Sequence, residues 1–317
     1  MNLLVTGGCG FIGSNFIKLA LRSPRVESLV NVDKMTYAAS PDNTEEFEES
    51  PIYSHENFCL SDYGRLWETC KNKDITDVVH FAAETHVDNS IKGSRVFVES
   101  NIVATHSILE TCKDRGIRLH HISTDEVYGE VLGDEKFTED SRYDPKNPYS
   151  ATKAASDFLV RSYVHTHGVR ATISNCSNNY GPNQHDEKLI PTIIRNLVNE
   201  DLVPVYGGGE NIRDWIYVDD HCDAIWSILV NGKIGETYLV GSSNERSNLQ
   251  VISCICAIMG KRAHESINFV KDRAGHDFRY AIDASKIKQE LRWGANYTFL
   301  SGLEKTVTFY KKKYSKP

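Results

Sequence analysis

Tyr149 and Lys153 stand four residues apart, in a segment whose apolar periodicity predicts a helix over 149–166. Positions four apart lie on the same face of a helix, so the lysine ammonium lies beside the phenol. A nearby positive charge lowers the pKa of a phenol, which allows Tyr149 to act as a base near neutral pH. Asn147 followed by Pro148 is typical of a helix start. The pair predicts a proton-transfer site, and the alternative is a surface tyrosine and lysine on an amphipathic helix.

Two adjacent carboxyl side chains, Asp125 and Glu126, follow Thr124 and the strand predicted over 119–123. Such a pair can supply one acid and one base, because different solvation and mutual repulsion separate the two pKa values. On these residues alone, a pair of loop or capping carboxylates is the commoner explanation. Acid–base chemistry at this pair therefore depends on its context.

A glycine-rich turn near the start of the chain has the pattern G-x-G-x-x-G, from Gly8 through Gly10 to Gly13. It follows a short apolar strand and opens a helix, which is the context of a dinucleotide site: the backbone approaches a pyrophosphate and the helix N-terminus faces it. Asp33 ends the second predicted strand, twenty residues after Gly13. A carboxylate there accepts hydrogen bonds from ribose hydroxyls and repels a 2′-phosphate, so NAD is predicted over NADP, and Lys34 weakens this preference slightly. The alternative is a glycine turn in an unrelated α/β protein.

The elements around these motifs alternate between short strands and longer helices. Strands are predicted at 3–5, 29–32, 78–82, 119–123 and 170–174, with helices at 16–21, 96–113 and 149–166. This order predicts an α/β fold, a Rossmann-type doubly wound parallel sheet with a smaller α/β substrate-binding lobe. After residue 182 the predicted loops between strands and helices become longer. We expect a cofactor-binding domain over 1–181 with returns around 211–245, and a mostly substrate-binding lobe over 182–317.

Composition excludes several classes of protein. The 317 residues are 40% hydrophobic and 25% charged, with a net charge of −7, which gives no bulk attraction for nucleic acid or an anionic membrane. No apolar run has the ~18 residues of a membrane helix, and no secretory signal is expected at the start. The eight cysteines lack metal-ligand spacing, so free thiols in the cytoplasm and no metal site are expected. His86 is expected to be a structural hydrogen-bonding residue.

Several segments together carry a family resemblance. They are TGGCGFIG (6–13), HFAAETHVD (80–88), STDEVYG (123–129), YSATK (149–153), NCSNNYGP (175–182), EKLIP (187–191), IRDW (212–215) and DRAGH (272–276). The chain resembles the extended short-chain dehydrogenase/reductase superfamily, and within it the dTDP-glucose 4,6-dehydratases and their UDP-glucose-using relatives. The resemblance runs from residue 3 to about 293. Its most specific element is Thr124-Asp125-Glu126, whose acidic pair sugar-nucleotide epimerases of the superfamily generally lack.

The resemblance implies a reaction at three carbons of a nucleotide-linked glucose. Tyr149, helped by Lys153, takes the O4 proton while hydride leaves C4 for NAD, and Thr124 hydrogen-bonds O4. Glu126 removes the C5 proton, and Asp125 protonates the departing C6 hydroxyl. Hydride then returns to C6, which gives a 4-keto-6-deoxyglucose nucleotide and water. A 4-epimerase, a uronic-acid decarboxylase or a catalytically silent nucleotide-sugar binding protein stay open as alternatives, as does the base of the nucleotide.

The resemblance also implies two sets of binding residues. Those expected on the cofactor are Gly7, Gly10, Phe11, Ile12, Gly13, Asp33, Lys34, Met35, Thr36, Asn57, Phe58, Ala82, Ala83, Glu84, Thr85, Ser100, Tyr149, Lys153 and Asn179. Those expected on the nucleotide sugar are Thr85, Thr124, Asn178, Lys188, Leu189, Pro204, Val205, Tyr206, Arg213, Asn248, Arg273 and His276. The chain departs from the family pattern at Asn57, Asn89 and Ala274. Relatives form homodimers through a four-helix bundle, which implies the segments at about 95–113 and 149–167.

Overall fold

A parallel sheet of seven strands carries the predicted motifs. The computed structural model describes residues 1–131, 133–272 and 277–315. The strands of this sheet are Asn2–Thr6 (β1), Ser28–Val32 (β2), Tyr53–Glu56 (β3), Asp77–His80 (β4), Arg118–Thr124 (β5), Ala171–Cys176 (β6) and Thr237–Val240 (β10). They lie in the order β10-β6-β5-β4-β1-β2-β3, and each neighbouring pair is parallel.

Helices cover both faces of this sheet. The longer ones are Phe11–Ala20 (α1), Tyr63–Asn72 (α2), Ala104–Arg115 (α5), Pro148–His167 (α6) and Val218–Asn231 (α8), and the short Val87–Lys92 (α3) and Arg95–Phe97 (α4) precede α5. Leu3 and Val5 of β1 pack in one buried cluster with residues of α1 and α8. Leu4, on the opposite face, packs in another with residues of α2, α5 and α6. The doubly wound α/β fold predicted from the sequence is confirmed.

Two strands of the sheet have no counterpart among the predicted elements. β3 is short, polar and partly exposed at the sheet edge, so it lacks the apolar run that marks the inner strands. β10 is buried, but it enters the sheet beside β6 from more than sixty residues later in the chain. Such a long-range pairing leaves no local signal in the sequence.

The helix predicted over 96–113 contains a wider segment, because Val98–Val103 is π-helical between α4 and α5. Asn101 in this segment is 1% exposed. Its side-chain amide accepts from the Glu84 N–H at 2.8 Å and donates to the Glu84 carbonyl at 3.1 Å and to Thr152 Oγ1 at 2.9 Å. Its own carbonyl accepts from Ser156 Oγ at 2.6 Å. The π-helical segment thus joins the chain after β4 to α6.

The remaining elements form a second group around their own core. Asn178–Tyr180 (β7), Ile212–Tyr217 (β9) and Glu245–Ser247 (β11) make a sheet in the order β11-β9-β7, and Val203–Tyr206 (β8) pairs with Ile267–Val270 (β12). The helices of this group are Leu189–Val198 (α7), Asn248–Ile258 (α9), Ala263–Ser266 (α10) and Phe299–Tyr314 (α12). Ser285–Leu291 (α11) instead packs against α8 and β10 of the seven-stranded sheet. Ile193, Trp215 and Leu303 lie in the buried cluster of this group. The domain boundaries at 181 and 211–245 stay predictions.

No helix within the described ranges is long and apolar enough to cross a membrane.

We expect Asn101→Ala to destabilise the protein strongly. The change leaves the buried backbone groups of Glu84 without their partner, and each buried unsatisfied group costs about 1–3 kcal/mol. Urea unfolding measures the change in the free energy of unfolding. Glu99→Ala is the control, because Glu99 lies in the same π-helical segment with an exposed side chain, and its change should stay within about 0.5 kcal/mol. Equal midpoints for both variants would contradict the role of Asn101.

Candidate active site

The glycine turn between β1 and α1 brings three chain segments into close contact. Gly7 has φ of +71°, and a Cβ there would lie 2.7 Å from the Ala82 nitrogen, so only glycine fits. A Cβ on Gly13 would lie 2.3 Å from the Gly7 carbonyl oxygen. α1 begins at Phe11, and its first residues line a cavity at the carboxyl ends of the sheet strands. The turn therefore presents a helix N-terminus to this cavity, as an anionic ligand requires.

Asp33 is held in one orientation at the end of β2. Its Oδ2 accepts from the Cys9 N–H at 3.0 Å, and its Oδ1 accepts from the Met35 N–H at 2.8 Å. The side chain of Lys34 turns to Ser100 Oγ, to which it donates at 2.6 Å. Its ammonium is thereby tied to the π-helical segment.

The cavity gathers most of the predicted site. The predicted residues that line it are Gly7, Gly10, Phe11, Ile12, Gly13, Asp33, Lys34, Thr36, Phe58, Ala82, Ala83, Glu84, Thr85, Ser100, Thr124, Asp125, Glu126, Tyr149, Lys153, Asn178, Asn179 and Lys188. Those that do not line it are Met35, Asn57, Leu189, Pro204, Val205, Tyr206, Arg213 and Asn248. Arg273 and His276 lie outside the described residues.

The residues outside the cavity lie there for different reasons. Asn57 is exposed, while its neighbour Phe58 is buried and lines the cavity. The side chain of Val205 is 3% exposed and packs into the core of the second group, so it has no surface left for a ligand. Tyr206, the next residue along β8, is 38% exposed. Only one of these two side chains can face a ligand, because successive strand residues point to opposite faces.

Arg213 lies just behind the cavity lining. It is 9% exposed, donates to the carbonyls of Asp277 at 2.9 Å and Phe278 at 3.1 Å, and its guanidinium stacks 4.3 Å from the centre of the Tyr280 ring. Its charge acts on the carboxyl pair, since it opposes the upward pKa shifts of Asp125 and Glu126.

The carboxyl pair occupies a 3₁₀ turn, Asp125–Tyr128, directly after β5. Thr124 caps this turn by accepting from the Glu126 N–H at 3.3 Å. Burial and the neighbouring Glu126 raise the pKa of Asp125 well above its usual range. Burial also raises the pKa of Glu126, but the positive charges of Arg213 and Lys188 oppose it. Asp125 therefore holds a proton more readily, and Glu126 ionises more readily, which separates one acid from one base.

Tyr149 and Lys153 lie on the first turns of α6, whose start has the predicted form. Asn147 accepts from the Ser150 N–H at 2.9 Å, and Pro148 is the first helical residue. Lys153 is 4% exposed and donates to the Ile122 carbonyl at 2.6 Å. Burial lowers its pKa to about 8.

The expectation of a tyrosine that ionises near neutral pH is not met in the free chain. Burial raises the pKa of Tyr149 well above its ordinary value, and the charge of Glu126 adds to the effect. The sequence pattern placed an ammonium one turn away but contained no measure of how dry the pocket is. A phenolate at Tyr149 therefore needs positive charge to offset its desolvation.

Several lining residues were not predicted individually. They are Val32, Ala38, Ala39, Cys59, Leu60, Phe81, Ala104, Ile122, Ser123, Cys176, Ser177, Gln184, His185 and Glu187. Many follow the carboxyl end of a strand, where ligands of parallel sheets bind. Glu187 had a further signal, since it precedes Lys188 in a motif of the resemblance. Its carboxylate lies 3.6 Å from His86 Nε2 and 3.4 Å from the Tyr37 hydroxyl.

Comparisons with known proteins identify the family of the chain. The family model described as GDP-mannose 4,6 dehydratase matches residues 4–306. A dTDP-glucose 4,6-dehydratase of Mycolicibacterium smegmatis is 48% identical, over 98% of this chain and 93% of its own. The solved structure of a dTDP-glucose 4,6-dehydratase from Streptomyces venezuelae, with NAD bound, is 40% identical with a TM-score of 0.95, over 98% of this chain and 97% of that one.

A more distant structure is a UDP-glucuronic acid 4-epimerase from Bacillus cereus, 28% identical with a TM-score of 0.91, over 99% of this chain and all of the other. The chain belongs to the GDP-mannose 4,6 dehydratase family. Its relatives at 42–48% identity are dTDP-glucose 4,6-dehydratases, so the resemblance found in the sequence is confirmed.

Proposed function

We propose that this protein is an NAD-dependent dTDP-glucose 4,6-dehydratase, a hydro-lyase that forms dTDP-4-keto-6-deoxyglucose and water. The observation that carries the proposal is that one cavity is lined by the Tyr149–Lys153 pair and by Thr124, Asp125 and Glu126. An epimerase needs the first pair alone, whereas water loss also needs an acid and a base beside it. The names of relatives at 42–48% identity support dTDP-glucose over UDP-glucose.

The residues of the glycine turn fit NAD. The turn leaves no room for a Cβ at Gly13 and opens the N-terminus of α1 toward a pyrophosphate. The fixed carboxylate of Asp33 receives the hydroxyls of the adenosine ribose, and Lys34, Ser100 and Glu84 line the same side. When bound, NAD supplies the acceptor for the C4 hydride and later the donor for C6.

Tyr149 removes the proton of the O4 hydroxyl as C4 is oxidised to a ketone. Thr124 hydrogen-bonds O4 and positions it against the phenol. Burial and the charge of Glu126 raise the pKa of Tyr149, and a hydrogen bond with Thr124 opposes them. We propose that the ammonium of Lys153, one helical turn away, further favours the phenolate when the substrate is bound. The resulting 4-keto group acidifies the hydrogen on C5.

Glu126 and Asp125 then divide the loss of water between them. Glu126, whose ionised form Arg213 and Lys188 stabilise, takes the C5 proton. Asp125, which burial keeps protonated, gives its proton to the C6 hydroxyl. The C6–O bond breaks, water leaves and a C5–C6 double bond forms. A proton then returns to C5, and bound NAD, held by the glycine turn and Asp33, would supply the hydride that C6 requires.

We assign the cofactor to residues 1–181 with the returns around 211–245, and the nucleotide sugar mostly to residues 182–317. Lys188 lines the cavity on the second side, and Arg213 lies behind it. A guanidinium attracts diphosphate oxygens. Because the terminal nitrogens of Arg213 already donate to the carbonyls of Asp277 and Phe278, we propose that Arg213 contributes its positive charge to the diphosphate side of the cavity. From the sequence alone, we also assign Arg273 and His276 to the binding of the nucleotide sugar.

We also propose that the protein is a cytoplasmic homodimer. The helices at 95–115 and 148–167 carry apolar side chains that stay partly exposed in the single chain: Val96, Val98 and Val103 are each 42% exposed and Phe158 is 56% exposed. Such a patch on paired helices suits a four-helix bundle with a second copy. All eight cysteines are free thiols, which agrees with a reducing compartment.

Turnover of dTDP-glucose in heavy water tests the function. We expect a product lighter by one water, with deuterium on C5, because the proton returned to C5 comes from an exchangeable group. Reduced cofactor should not accumulate, since the hydride returns to C6. Mass spectrometry and NMR measure the label, and absorbance follows the cofactor. A product of unchanged mass would indicate an epimerase, and binding without any product would indicate a silent binding protein.

Asp125→Asn and Glu126→Gln should each lower kcat by about 10²–10⁴, the range for one proton-transfer group. Binding of dTDP-glucose should persist, because neither substitution changes the volume of the side chain. Steady-state kinetics and calorimetry measure the two properties. Asp140→Asn serves as the control, since Asp140 is an exposed carboxylate in the segment that follows. Wild-type turnover in either site variant would remove that residue from the mechanism.

Phe158→Asp should convert the dimer to a monomer at micromolar concentration, because it places a charge in the proposed bundle. Sedimentation velocity measures the change. Leu202→Asp is the matched control: Leu202 is 55% exposed but lies outside these helices, so the variant should stay dimeric. A wild-type protein that sediments as a monomer would overturn the proposed homodimer.

A further inference from the structure

A buried carboxylate that the proposed chemistry does not use lies beneath the active site. Asp157 on α6 is 0% exposed. Its Oδ2 accepts from Ser123 Oγ at 2.9 Å, from the Tyr143 hydroxyl at 2.9 Å and from Asn175 Nδ2 at 3.1 Å. Its Oδ1 lies 3.3 Å from His121 Nε2. A carboxylate buried this completely is costly unless a charge or several donors compensate it.

His121 contributes most to keeping Asp157 ionised, and the positive charge of Lys153 adds to it. Lys153 and Asp157 are four residues apart on α6, so both face the sheet on the same side of the helix. Burial lowers the pKa of Lys153 to about 8, and the charge of Asp157 is the largest effect that opposes this fall. Burial also acts to raise the pKa of Asp157, but His121, Lys153 and Ser123 outweigh it and the net shift is downward. The ammonium donates to the Ile122 carbonyl and makes no direct ion pair with Asp157, so the two buried charges act on each other through the space between β5 and α6.

The other ionisable groups packed around this pair are neutral at physiological pH. Burial lowers the pKa of His121 to about 4 and that of His80 well below its usual value. Burial raises the pKa of the Cys176 thiol to about 12 and raises those of Tyr143 and Tyr128 as well. Arg161 is the exception: it carries a charge, and it donates at 2.9 Å to the Tyr143 hydroxyl, which in turn donates to Asp157. Among the described residues around Lys153, Asp157 is therefore the charged group that opposes the effect of burial.

The same pair fixes the strand end that carries the acid–base residues. Lys153 donates to the Ile122 carbonyl, and Ser123 donates to Asp157. Asn175, which also donates to Asp157, donates to the Thr124 carbonyl at 3.1 Å. Three consecutive residues of β5 are thus held from α6 and β6, directly before Asp125.

We propose that Asp157 is a positioning residue that keeps Lys153 in its ammonium form and holds the end of β5 in place for Thr124, Asp125 and Glu126. Asp157 acts through these groups and does not touch the substrate. The inference rests on the proposed function for its kinetic consequence, and on the charge pair alone for its effect on stability.

The pH profile of kcat tests the electrostatic part in the holoenzyme. Asp157→Asn removes the negative charge, so the pKa of Lys153 falls by about 1–2 pH units. The ammonium is then lost at a lower pH, and the alkaline limb of the profile moves down by the same amount. Activity at pH 8 should fall about tenfold more than activity at pH 6. Asp157→Glu, which restores the charge, should return the limb toward its original position.

Tyr143→Phe is the matched control, because it removes one hydrogen bond to Asp157 and keeps the charge. Its alkaline limb should not move. A purely structural role for Asp157 predicts a lower rate at every pH with an unchanged profile. An Asp157→Asn profile of that shape would overturn the proposal.

Thermal unfolding of the protein without substrate gives a second test that is independent of the reaction. Asp157→Asn alone should lower Tm, because it leaves the Lys153 ammonium buried without its counter-charge. In a Lys153→Met background the same substitution should raise Tm, because it removes a carboxylate that has lost its partner. The comparison of Lys153→Met with the Lys153→Met, Asp157→Asn double variant can be made even if Asp157→Asn alone does not fold. Equal effects in both backgrounds would show that the two residues are not coupled, whatever reaction the protein catalyses.

Discussion

Parallel pairing of β1, β4, β5 and β6 is the constraint on which the site depends. Thr6 pairs with His80, and Thr124 pairs with Cys176, so neighbouring strands end at nearly the same level. The chain turns away from the sheet at the carboxyl end of each strand, and residues that follow these strands line one cavity. The glycine turn, the carboxyl pair and the residues after β6 are distant in sequence but share this edge. The chemistry of the protein is thus assembled by register rather than by any one loop.

Much of this arrangement could be predicted because its signals are local. Three of these signals are short sequence patterns. They are the spacing of the glycines, the acidic residue Asp33 at the end of a strand, and the four-residue interval between Tyr149 and Lys153. The inner strands could be recognised because strands buried on both faces contain runs of apolar residues, such as Leu3-Leu4-Val5 in β1 and Val78-Val79 in β4. Asn147 with Pro148 marked the start of α6 to within one residue.

The features that the sequence could not provide depend on distant contacts. The edge strand β3 is polar, and β10 pairs with a strand more than sixty residues earlier. The π-helical segment at Val98–Val103 follows the same apolar stripe as an ordinary helix, so only its contacts with Glu84 and α6 distinguish it. The high pKa of Tyr149 reflects the dryness of a pocket built from five strands and loops. The packing of Val205 into the second core likewise depends on neighbours far along the chain.

The position of β10 has a consequence for how the chain reaches its native state. While residues 1–181 emerge from the ribosome, β6 is the outermost strand on its side of the sheet, and its backbone groups have no strand beside them. Its neighbour in the native sheet, β10, is synthesised only after β7, β8, β9 and α8. Late, long-range strand addition is slow compared with helix formation. The boundary proposed at residue 181 is therefore not a boundary between two independent folding units, and a fragment that stops there exposes an open, aggregation-prone edge.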